Sequence, residues 1–340
     1  MASHSSHPRR GPSLEDVARE AGVSGQTVSR VVNGRGYVGA ATREKVTAAM
    51  ASLGYRPNSA ARALRSGRFR TLGVIVFTLA TYGNHRTLDA IAVRAAQAGY
   101  SLTLIPVDRT NQSTVRGAFS RLAEHAVDGI IILIEAHELD GSEIDIPAGM
   151  PIVVIDSNKR YEHPFVDIDQ AQGARQITEH LLGLGHETVH HIAGPPESYA
   201  AERRREAWRS TLSAQGRAPA DPQVGDWSAR SGYEAGCVLR RDPAVTAVFA
   251  ANDEMAIGAM RAFHEAGIAL PGRVSVAGFD DVPDAAYVWP PLTTVRQPFE
   301  QVGQRAVDAL LTELDGGDPV DQVLIGTELV IRGSTGAPGA

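Results

Sequence analysis

Apolar residues near the start of the chain recur three or four positions apart, the spacing that places them on one face of a helix. The pattern predicts a first helix after Ser13, whose hydroxyl can cap it, with Asp16 as the third residue of a capping box. Gly22 supplies the left-handed turn that ends this helix. A second helix is predicted to start after Ser24, and a third to span residues 41–53. The first two, joined by a tight turn, are typical of a helix-turn-helix.

The outward face of the second predicted helix is polar. Val28, Val31 and Val32 take its inward positions. The polar positions left outside, together with the cap, are Ser24, Gln26, Thr27, Ser29, Arg30 and Asn33. Short polar and basic side chains at the N-terminal end of such a helix suit base edges and phosphates in a major groove. We therefore expect contact with DNA, the alternative being an ordinary pair of surface helices.

From residue 71 onward, continuous apolar runs of strand length alternate with amphipathic stretches of helix length. The predicted strands are residues 72–77, 101–107, 129–134, 152–155, 189–193, 247–250 and 274–278. The predicted helices are residues 88–98, 170–184, 200–215, 228–240, 253–266 and 299–314. This alternation indicates an α/β core with parallel sheets covered on both faces. About eleven strands in about 260 residues suggest two doubly wound lobes, with a ligand in the cleft between them.

These patterns divide the chain into a tail, a small helical domain, a linker and a large core. Residues 1–11 are expected to be a disordered tail, and residues 12–57 the helix-turn-helix domain. Residues 58–70 are expected to be a hinge that is helical only when supported, because so short a helix is unstable alone. The core is predicted to be residues 71–336, with one lobe at about 71–168 and 297–327 and the other at about 169–296 and 328–336.

Charge is distributed unevenly along the chain. The formal net charge is −6, but residues 1–70 hold twelve arginines and lysines against four acidic residues, whereas the remainder holds 21 against 35. A basic head on an acidic body indicates nucleic acid as a partner of the head alone. The acidic body is expected to repel DNA and to confine contact to the head.

The composition excludes several classes of protein. Hydrophobic residues make up 43% of the 340 positions, and no apolar run approaches the roughly 20 residues of a membrane span. The N-terminal residues lack the apolar segment of a secretory signal. Cys237 is the single cysteine, so no internal disulfide can form. A reducing cytoplasm and no contact with membranes are therefore expected.

Several motifs carry a resemblance to a known family. In the head they are residues 23–33, 42–46, 53–58 and 60–64, and in the core residues 180–186, 193–195, 225–229, 251–253 and 290–294. On these motifs the chain, over roughly residues 13–333, resembles the LacI/GalR family of bacterial transcription repressors. The core of that family is itself similar to periplasmic sugar-binding proteins. Gly25 stands at a base-reading position where another member has tyrosine, which predicts a different operator.

The resemblance implies a homodimeric repressor on a pseudo-palindromic operator, cytoplasmic and nucleoid-associated when bound to DNA. It adds Asn58 and Leu64 to the DNA contacts, with Leu64 as a wedge in the minor groove at the dyad. A sugar or glycoside between the lobes is expected to disturb the hinge segments and to lower operator affinity. No leucine heptad follows the core, so a dimer is expected instead of a tetramer.

The resemblance also implies the effector-binding residues. They are Thr81, Asp156, Arg204, Trp227, Asn252, Asp280 and Phe299. Carboxylates, an amide and a guanidinium can each engage two vicinal hydroxyls, and the two aromatic rings can stack on the apolar face of a pyranose. Plainer interpretations exist: Asn252 or Asp253 can cap a helix, Asp280 or Asp281 can be structural, and the arginine run at residues 203–205 can be a solvated face.

Three alternatives stand beside the sugar-responsive repressor. A corepressor-dependent member of the same family would respond with the opposite sign. A periplasmic transport receptor would use a similar core, but it needs a signal peptide and has no DNA-binding head. Asp156 with Asp280 and Asp281 could supply a carboxylate pair for glycoside hydrolysis, but no other catalytic motif accompanies them. His190 and His191 begin a strand and are expected to be structural, so no metal site is expected there. No enzymatic activity and no cofactor are expected either.

Overall fold

The computed structural model describes residues 12–33, 36–56, 67–76, 78–107, 117, 121–122, 126–133, 149–155, 164–318 and 322–339. Contacts divide the chain into two compact units, Met1–Phe69 and Arg70–Ala340. Among the described residues, no helix combines the length and the apolar character needed to cross a membrane.

The first unit is a bundle of three helices, α1 (Leu14–Ala21), α2 (Gly25–Asn33) and α3 (Ala40–Leu53). The predicted capping box is present: the Asp16 amide donates to Ser13 Oγ at 3.2 Å, and the Ser13 amide donates to Asp16 Oδ2 at 2.9 Å. Gly22 ends α1 with a φ of 65°, in the left-handed region that glycine tolerates best. One apolar cluster joins the three helices, built on Val17, Ala18, Val28, Val46 and Ala49. The predicted helix-turn-helix is confirmed.

The second unit contains twelve described strands and six described α-helices. In chain order they are β1 (Thr71–Val76), α4 (Tyr82–Gln97), β2 (Ser101–Pro106), β3 (Gly129–Leu133), β4 (Ile152–Ile155), β5 (Phe165–Ile168), α5 (Gln170–Gly183), β6 (His190–Ala193), α6 (Tyr199–Ala214), β7 (Gln223–Val224), α7 (Ala229–Leu239), β8 (Ala247–Ala250), α8 (Asp253–Glu265), β9 (Ser275–Ala277), β10 (Thr294–Arg296), α9 (Phe299–Leu314), β11 (Val323–Ile325) and β12 (Glu328–Val330).

The first lobe is built on a six-stranded parallel sheet in the order β11-β5-β4-β3-β1-β2. One face of the sheet packs against α4 and α9 through a cluster that includes Leu72, Ile91 and Val302. The other face carries a second cluster, which includes Ile75 and Leu122. The central strands β3 and β4 are buried on both faces and are apolar throughout, as the sequence pattern predicts.

The second lobe is built on a four-stranded parallel sheet in the order β7-β6-β8-β9. Helices α5 and α6 cover one face around Trp208 and Phe249. Helices α7 and α8 cover the other face around Phe263 and Val276. The two lobes are the doubly wound parallel sheets expected from the sequence.

The chain passes between the lobes three times, at residues 168–170, 296–299 and 325–328. The amide of Asp169 in the first crossover donates to the carbonyl oxygen of Ile325 in the third, at 2.8 Å. Beside them β10 pairs with β12 in an antiparallel ladder. These hydrogen bonds hold the three crossovers side by side at the edge of the interlobe cleft.

The predicted and observed ranges of the core differ most at α4. Its predicted start is residue 88, but the helix begins at Tyr82. The residues of its first turns are polar, so the apolar periodicity does not extend over them. In the folded chain Asn84 and Thr87 are buried against a polar cleft, and polar side chains therefore suit that face. The short strands β5, β7, β10, β11 and β12 were not among the predicted ranges.

Candidate functional site

A cleft lies between the two lobes, where the strands of both sheets end. It holds about 640 Å³ of space that no protein atom occupies, including its opening to solvent. Six of the seven predicted effector residues line it, namely Thr81, Arg204, Trp227, Asn252, Asp280 and Phe299. Asp156 lies outside the described residues, directly after Ile155, which lines the cleft. The structure thus brings together side chains that are far apart in the sequence.

Arg204 lies on α6 and is 4% exposed. Its Nε donates to Gln170 Oε1 at 2.8 Å, and its Nη1 donates to the carbonyl oxygen of Ala251. The guanidinium carbon stands 4.0 Å from the ring centroid of Phe279, within the range of a cation–π contact. Its neighbour Arg203 pairs instead with Asp167 at 3.3 Å. Within the arginine run, Arg204 is the one that points into the protein.

Asp280 faces Arg204 on the second-lobe side of the cleft, with 3.9 Å between Arg204 Nη1 and Asp280 Oδ1. Its φ of 122° is rare for a residue with a side chain, and such backbone strain concentrates at functional sites. Burial raises the pKa of Asp280 well above its usual value, Arg204 opposes that rise, and Asp253 adds to it. The carboxyl group is therefore easily neutralised and has to find hydrogen-bond partners inside the cleft.

Asp281 and Asp253, the neighbours of the predicted acidic and amide positions, are structural. Asp281 accepts from Arg296 at 2.7 Å and from Arg332 at 2.5 Å. Asp253 is fully buried and accepts from the amide of Val282 at 2.8 Å. Asp281 is therefore held in two ion pairs, whereas Asp280 faces Arg204.

The aromatic residues come from both lobes. Phe299, at the start of α9, meets Tyr82 edge to face, with 5.8 Å between the ring centroids. Trp227 follows β7 with a φ of 73°, and its ring is 5.6 Å from the guanidinium carbon of Arg204. The indole nitrogen is buried and has no hydrogen-bond partner in the part of the chain that the structure describes. The cleft therefore offers apolar ring faces on two sides.

The side chain of Asn252 already makes hydrogen bonds within the protein. Its Oδ1 accepts from the amide of Met255 at 3.0 Å, which caps α8. Its Nδ2 donates to the Trp227 carbonyl oxygen at 2.9 Å and to Glu254 Oε2 at 2.8 Å. Besides lining the cleft, this side chain fixes the backbone at Trp227 and starts a helix.

Four buried polar residues of the cleft were not predicted from the sequence: Asn84, Thr87, Gln170 and Gln297. Gln170 follows β5, a strand whose four residues are too few to be distinguished by periodicity. Gln297 stands in the second crossover, just before Pro298. An uncharged amide beside a proline resembles any loop residue, so only the fold shows that both amides enter the cleft.

His191 has the structural role expected for it. It is buried between the rings of Trp208 and Phe249, at centroid distances of 5.1 and 4.7 Å. Its Nδ1 donates to the carbonyl oxygen of Phe249 at 2.8 Å. Burial lowers the pKa of His191 to about 3, so the ring is neutral and held in the core of the second lobe.

Some of the predicted DNA-contacting residues on α2 are exposed, and others are half-buried. Gln26 and Arg30 are exposed. The amide of Thr27 donates to Ser24 Oγ at 3.1 Å, so Ser24 caps α2, and Thr27 and Ser29 are half-buried. The side chain of Asn33, and Asn58 and Leu64 entirely, lie outside the described part of the chain.

Comparison with known proteins agrees with this architecture. Residues 13–58 match the model of bacterial regulatory proteins of the lacI family, and residues 178–335 match that of the periplasmic binding protein-like domain. The lactose operon repressor of Escherichia coli (strain K12) is 37% identical over 327 residues, covering 96% of this chain and 91% of the relative.

Solved structures show the same relationship. The crystal structure of the lac repressor dimer bound to operator and the anti-inducer ONPF superposes with a TM-score of 0.88 at 36% identity, covering 96% of this chain and 100% of that one. The complex of the transcriptional regulator CelR with cellobiose has a TM-score of 0.69 at 32% identity, covering 95% and 99%. The chain therefore belongs to the lacI family of bacterial regulatory proteins.

Proposed function

We propose that this chain is a sequence-specific, DNA-binding transcriptional repressor whose operator affinity falls when a sugar or glycoside binds between the core lobes. The observation that carries the proposal is the facing pair of Arg204 and Asp280, buried in the interlobe cleft of a chain that also bears a helix-turn-helix. A buried donor opposite a buried acceptor, between aromatic rings, suits a ligand that presents hydroxyls and an apolar ring face.

The separation of the pair supports a hydroxyl as the ligand group. At 3.9 Å, Arg204 Nη1 and Asp280 Oδ1 are too far apart for a hydrogen bond to each other. One hydroxyl oxygen placed between them is able to accept from the arginine and donate to the carboxylate. Since the cation and the acid both face the site, an uncharged sugar or glycoside fits it better than an anionic ligand.

In this proposal the helix-turn-helix unit binds the DNA. Gln26 and Arg30 are the exposed residues best placed to reach base edges and phosphates. Ser24, Thr27, Ser29, Asn33, Asn58 and Leu64 stay on the same proposed interface. Two heads of a homodimer would occupy the half-sites of a pseudo-palindromic operator. The lac repressor, a relative, is likewise a dimer in its complex with operator. We place the protein in the cytoplasm, on the nucleoid when it is bound to DNA.

A selection from random DNA followed by a sugar titration tests the proposal. The full-length protein should enrich an inverted repeat, and its affinity should fall steeply with salt because phosphate contacts release counterions. A panel of disaccharides and glycosides should contain one that releases the protein from the selected DNA. No sequence preference would contradict the repressor, and tighter DNA binding with sugar would reveal a corepressor.

Two variants link the release to the cleft. Arg204→Ala and Asp280→Ala should bind the selected DNA normally but lose about ten- to a hundredfold in affinity for the releasing sugar, because each leaves a buried hydroxyl without a partner. Arg203→Ala, one residue away and paired with Asp167, is the control and should be released as the wild type is. Normal release of both cleft variants would place the effector elsewhere.

A further inference from the structure

Four buried side chains form a continuous row of hydrogen bonds across the cleft floor. Arg204 Nε donates to Gln170 Oε1 at 2.8 Å, and Gln170 Nε2 donates to Gln297 Oε1 at 2.9 Å. Gln297 Nε2 in turn donates to Asp280 Oδ1. The row starts and ends at the two residues that face each other at 3.9 Å, so the four groups close a ring.

The ring has one direction. A guanidinium only donates, so Gln170 must turn its amide oxygen to Arg204 and its amide nitrogen to Gln297. Gln297 then accepts from Gln170 and turns its own nitrogen to Asp280, whose facing oxygen accepts. If either amide turned around, it would set two donors or two acceptors against each other in a buried place, which is costly. The arginine end thus fixes the orientation of both amides, and the amides in turn hold Arg204 and Asp280 in place.

The ring is also tied to the connections between the lobes. Gln170 opens α5 at the end of the first crossover, and Gln297 lies in the second crossover. Arg204 and Asp280 both belong to the second lobe, one on α6 and the other after β9. The two amides therefore join the ligand-facing pair to two of the segments that cross between the lobes.

We propose that Gln170 and Gln297 are positioning residues that, through this one-directional row of hydrogen bonds, hold Arg204 and Asp280 on either side of a single effector hydroxyl. The proposal rests on the proposed function in that it takes a sugar as the effector. Gln170 acts through Arg204, and Gln297 acts through Asp280. Because the row is continuous, loss of either amide should free both Arg204 and Asp280.

Other charged and titratable groups face the ring, and a test by pH has to account for them. Asp253 and Glu254 on α8 act on Asp280 from one side, together with Arg204 on α6. Tyr82 on α4 faces Asp280 and Asp281 from the other lobe. Arg86, Arg296 and Glu328 line an adjoining groove next to Gln297. Since all of these are present in the wild type and the variants alike, the readout at each pH is the ratio of variant to wild-type affinity.

A first experiment needs no effector. In the full-length protein labelled with ¹⁵N at arginine Nε, the Arg204 signal is assigned by its loss in Arg204→Lys. Gln170→Met and Gln297→Met should both shift this signal and speed its hydrogen exchange, although Gln297 does not touch Arg204 Nε. Gln176→Met, the same substitution on the same helix α5, should leave it unchanged. An unshifted Arg204 signal in Gln297→Met would refute the connection between the amides.

A second experiment measures binding of lactose, cellobiose and methyl β-glucoside, and continues with whichever binds the wild type most tightly. Gln170→Met and Gln297→Met should each weaken binding about five- to tenfold, and Gln176→Met should not. The double variant should be little weaker than the worse single variant, because both act on one row. Wild-type affinity in both single variants would overturn the proposal.

Gln297→Glu separates positioning from packing. At alkaline pH, once the new carboxyl and Asp280 are both ionised, neither can donate to the other, and binding should be as weak as in Gln297→Met. On acidification toward pH 5 a protonated carboxyl can donate to Asp280 and accept from Gln170, so the affinity relative to wild type should recover about threefold or more. Gln297→Met should show no such recovery, and a constant ratio for Gln297→Glu would contradict the proposal.

If no sugar binds the wild type, the proposed function fails, and the arginine signal alone decides whether the row exists.

Discussion

The indole ring of Trp227 lies directly against the α-carbon of Gly194. A Cβ built on Gly194 would stand 2.3 Å from the Cη2 of that ring, far inside the contact distance of two carbons. Gly194 follows β6, and Trp227 follows β7, the neighbouring strand of the same sheet. The glycine at one strand end thus creates the space in which the aromatic wall of the cleft stands.

This relationship predicts the effect of Gly194→Ala. The new methyl group should push the indole toward the cleft and reduce sugar affinity about tenfold or more, at a cost of about 1–3 kcal/mol in stability from overpacking. Tryptophan fluorescence during a sugar titration, together with thermal unfolding, measures both effects. Gly183→Ala is the control, because a Cβ there would meet nothing within 4 Å. Equal sugar affinity in Gly194→Ala and Gly183→Ala would count against a role of Trp227 in binding.

Ser24 has two proposed roles, and two substitutions distinguish them. Ser24→Ala removes the hydroxyl that accepts from the Thr27 amide and should destabilise α2 by about 1 kcal/mol. Ser24→Asp keeps a capping oxygen but places a negative charge where a phosphate is expected. The aspartate variant should retain the slow hydrogen exchange of α2 amides and still lose about tenfold or more in DNA affinity. If its DNA affinity matches that of the wild type, Ser24 is a cap only.

The buried carboxyl of Asp253 should make the stability of the protein depend on pH. Burial raises the pKa of Asp253 to about 7, from an ordinary value of 3.8. The folded protein therefore holds a proton more tightly than the unfolded chain between these values. The stabilisation from this group is fully present below about pH 4 and is lost as the pH rises through about 7.

Asp253→Asn tests this dependence, because an amide does not titrate. The amide oxygen can accept from the Val282 amide as the carboxylate does, and the amide nitrogen can donate to Thr294 Oγ1, which in the wild type donates to Asp253. The variant should lose less stability than the wild type as the pH rises from about 4 to about 7, the difference approaching about 1.4 kcal/mol per pH unit. Denaturant unfolding at several pH values measures it. Since Asp280 and Glu254 titrate in both proteins, parallel curves would show that Asp253 keeps an ordinary pKa.

Gln26 and Arg30 should make different contributions to DNA binding. Gln26→Ala should cost about 1–3 kcal/mol on the selected sequence and little on random DNA, because an amide reads base edges. Arg30→Ala should weaken binding to both and lower the slope of affinity against salt by about one, as the loss of one phosphate contact does. Filter binding over a range of salt concentrations gives both numbers. Ser52→Ala, an exposed change on α3, is the control.

Local patterns in the sequence were enough to predict the described α-helices and seven of the twelve described strands. The capping box at Ser13 and Asp16 and the glycine turn at Gly22 depend on residues within one helical turn, so no distant contact had to be known. The apolar strands β1, β3 and β8 are buried on both faces, and their composition alone indicates parallel sheets. Most cleft residues were instead predicted from the family resemblance, because hydrophobic periodicity does not show which distant residues come together.

The connections across the cleft were decided only by the tertiary structure. Gln170 and Gln297 are 127 residues apart, and no local signal in either segment marks an amide that will be buried. Their burial follows from where three crossovers place them, beside a guanidinium and a carboxylate brought in by other elements. Likewise, only the fold shows that Asp280 turns into the cleft while Asp281 pairs with Arg296 and Arg332. A sequence determines the chemistry that each residue carries, but the partner that satisfies a buried polar group is determined by the packing of distant segments.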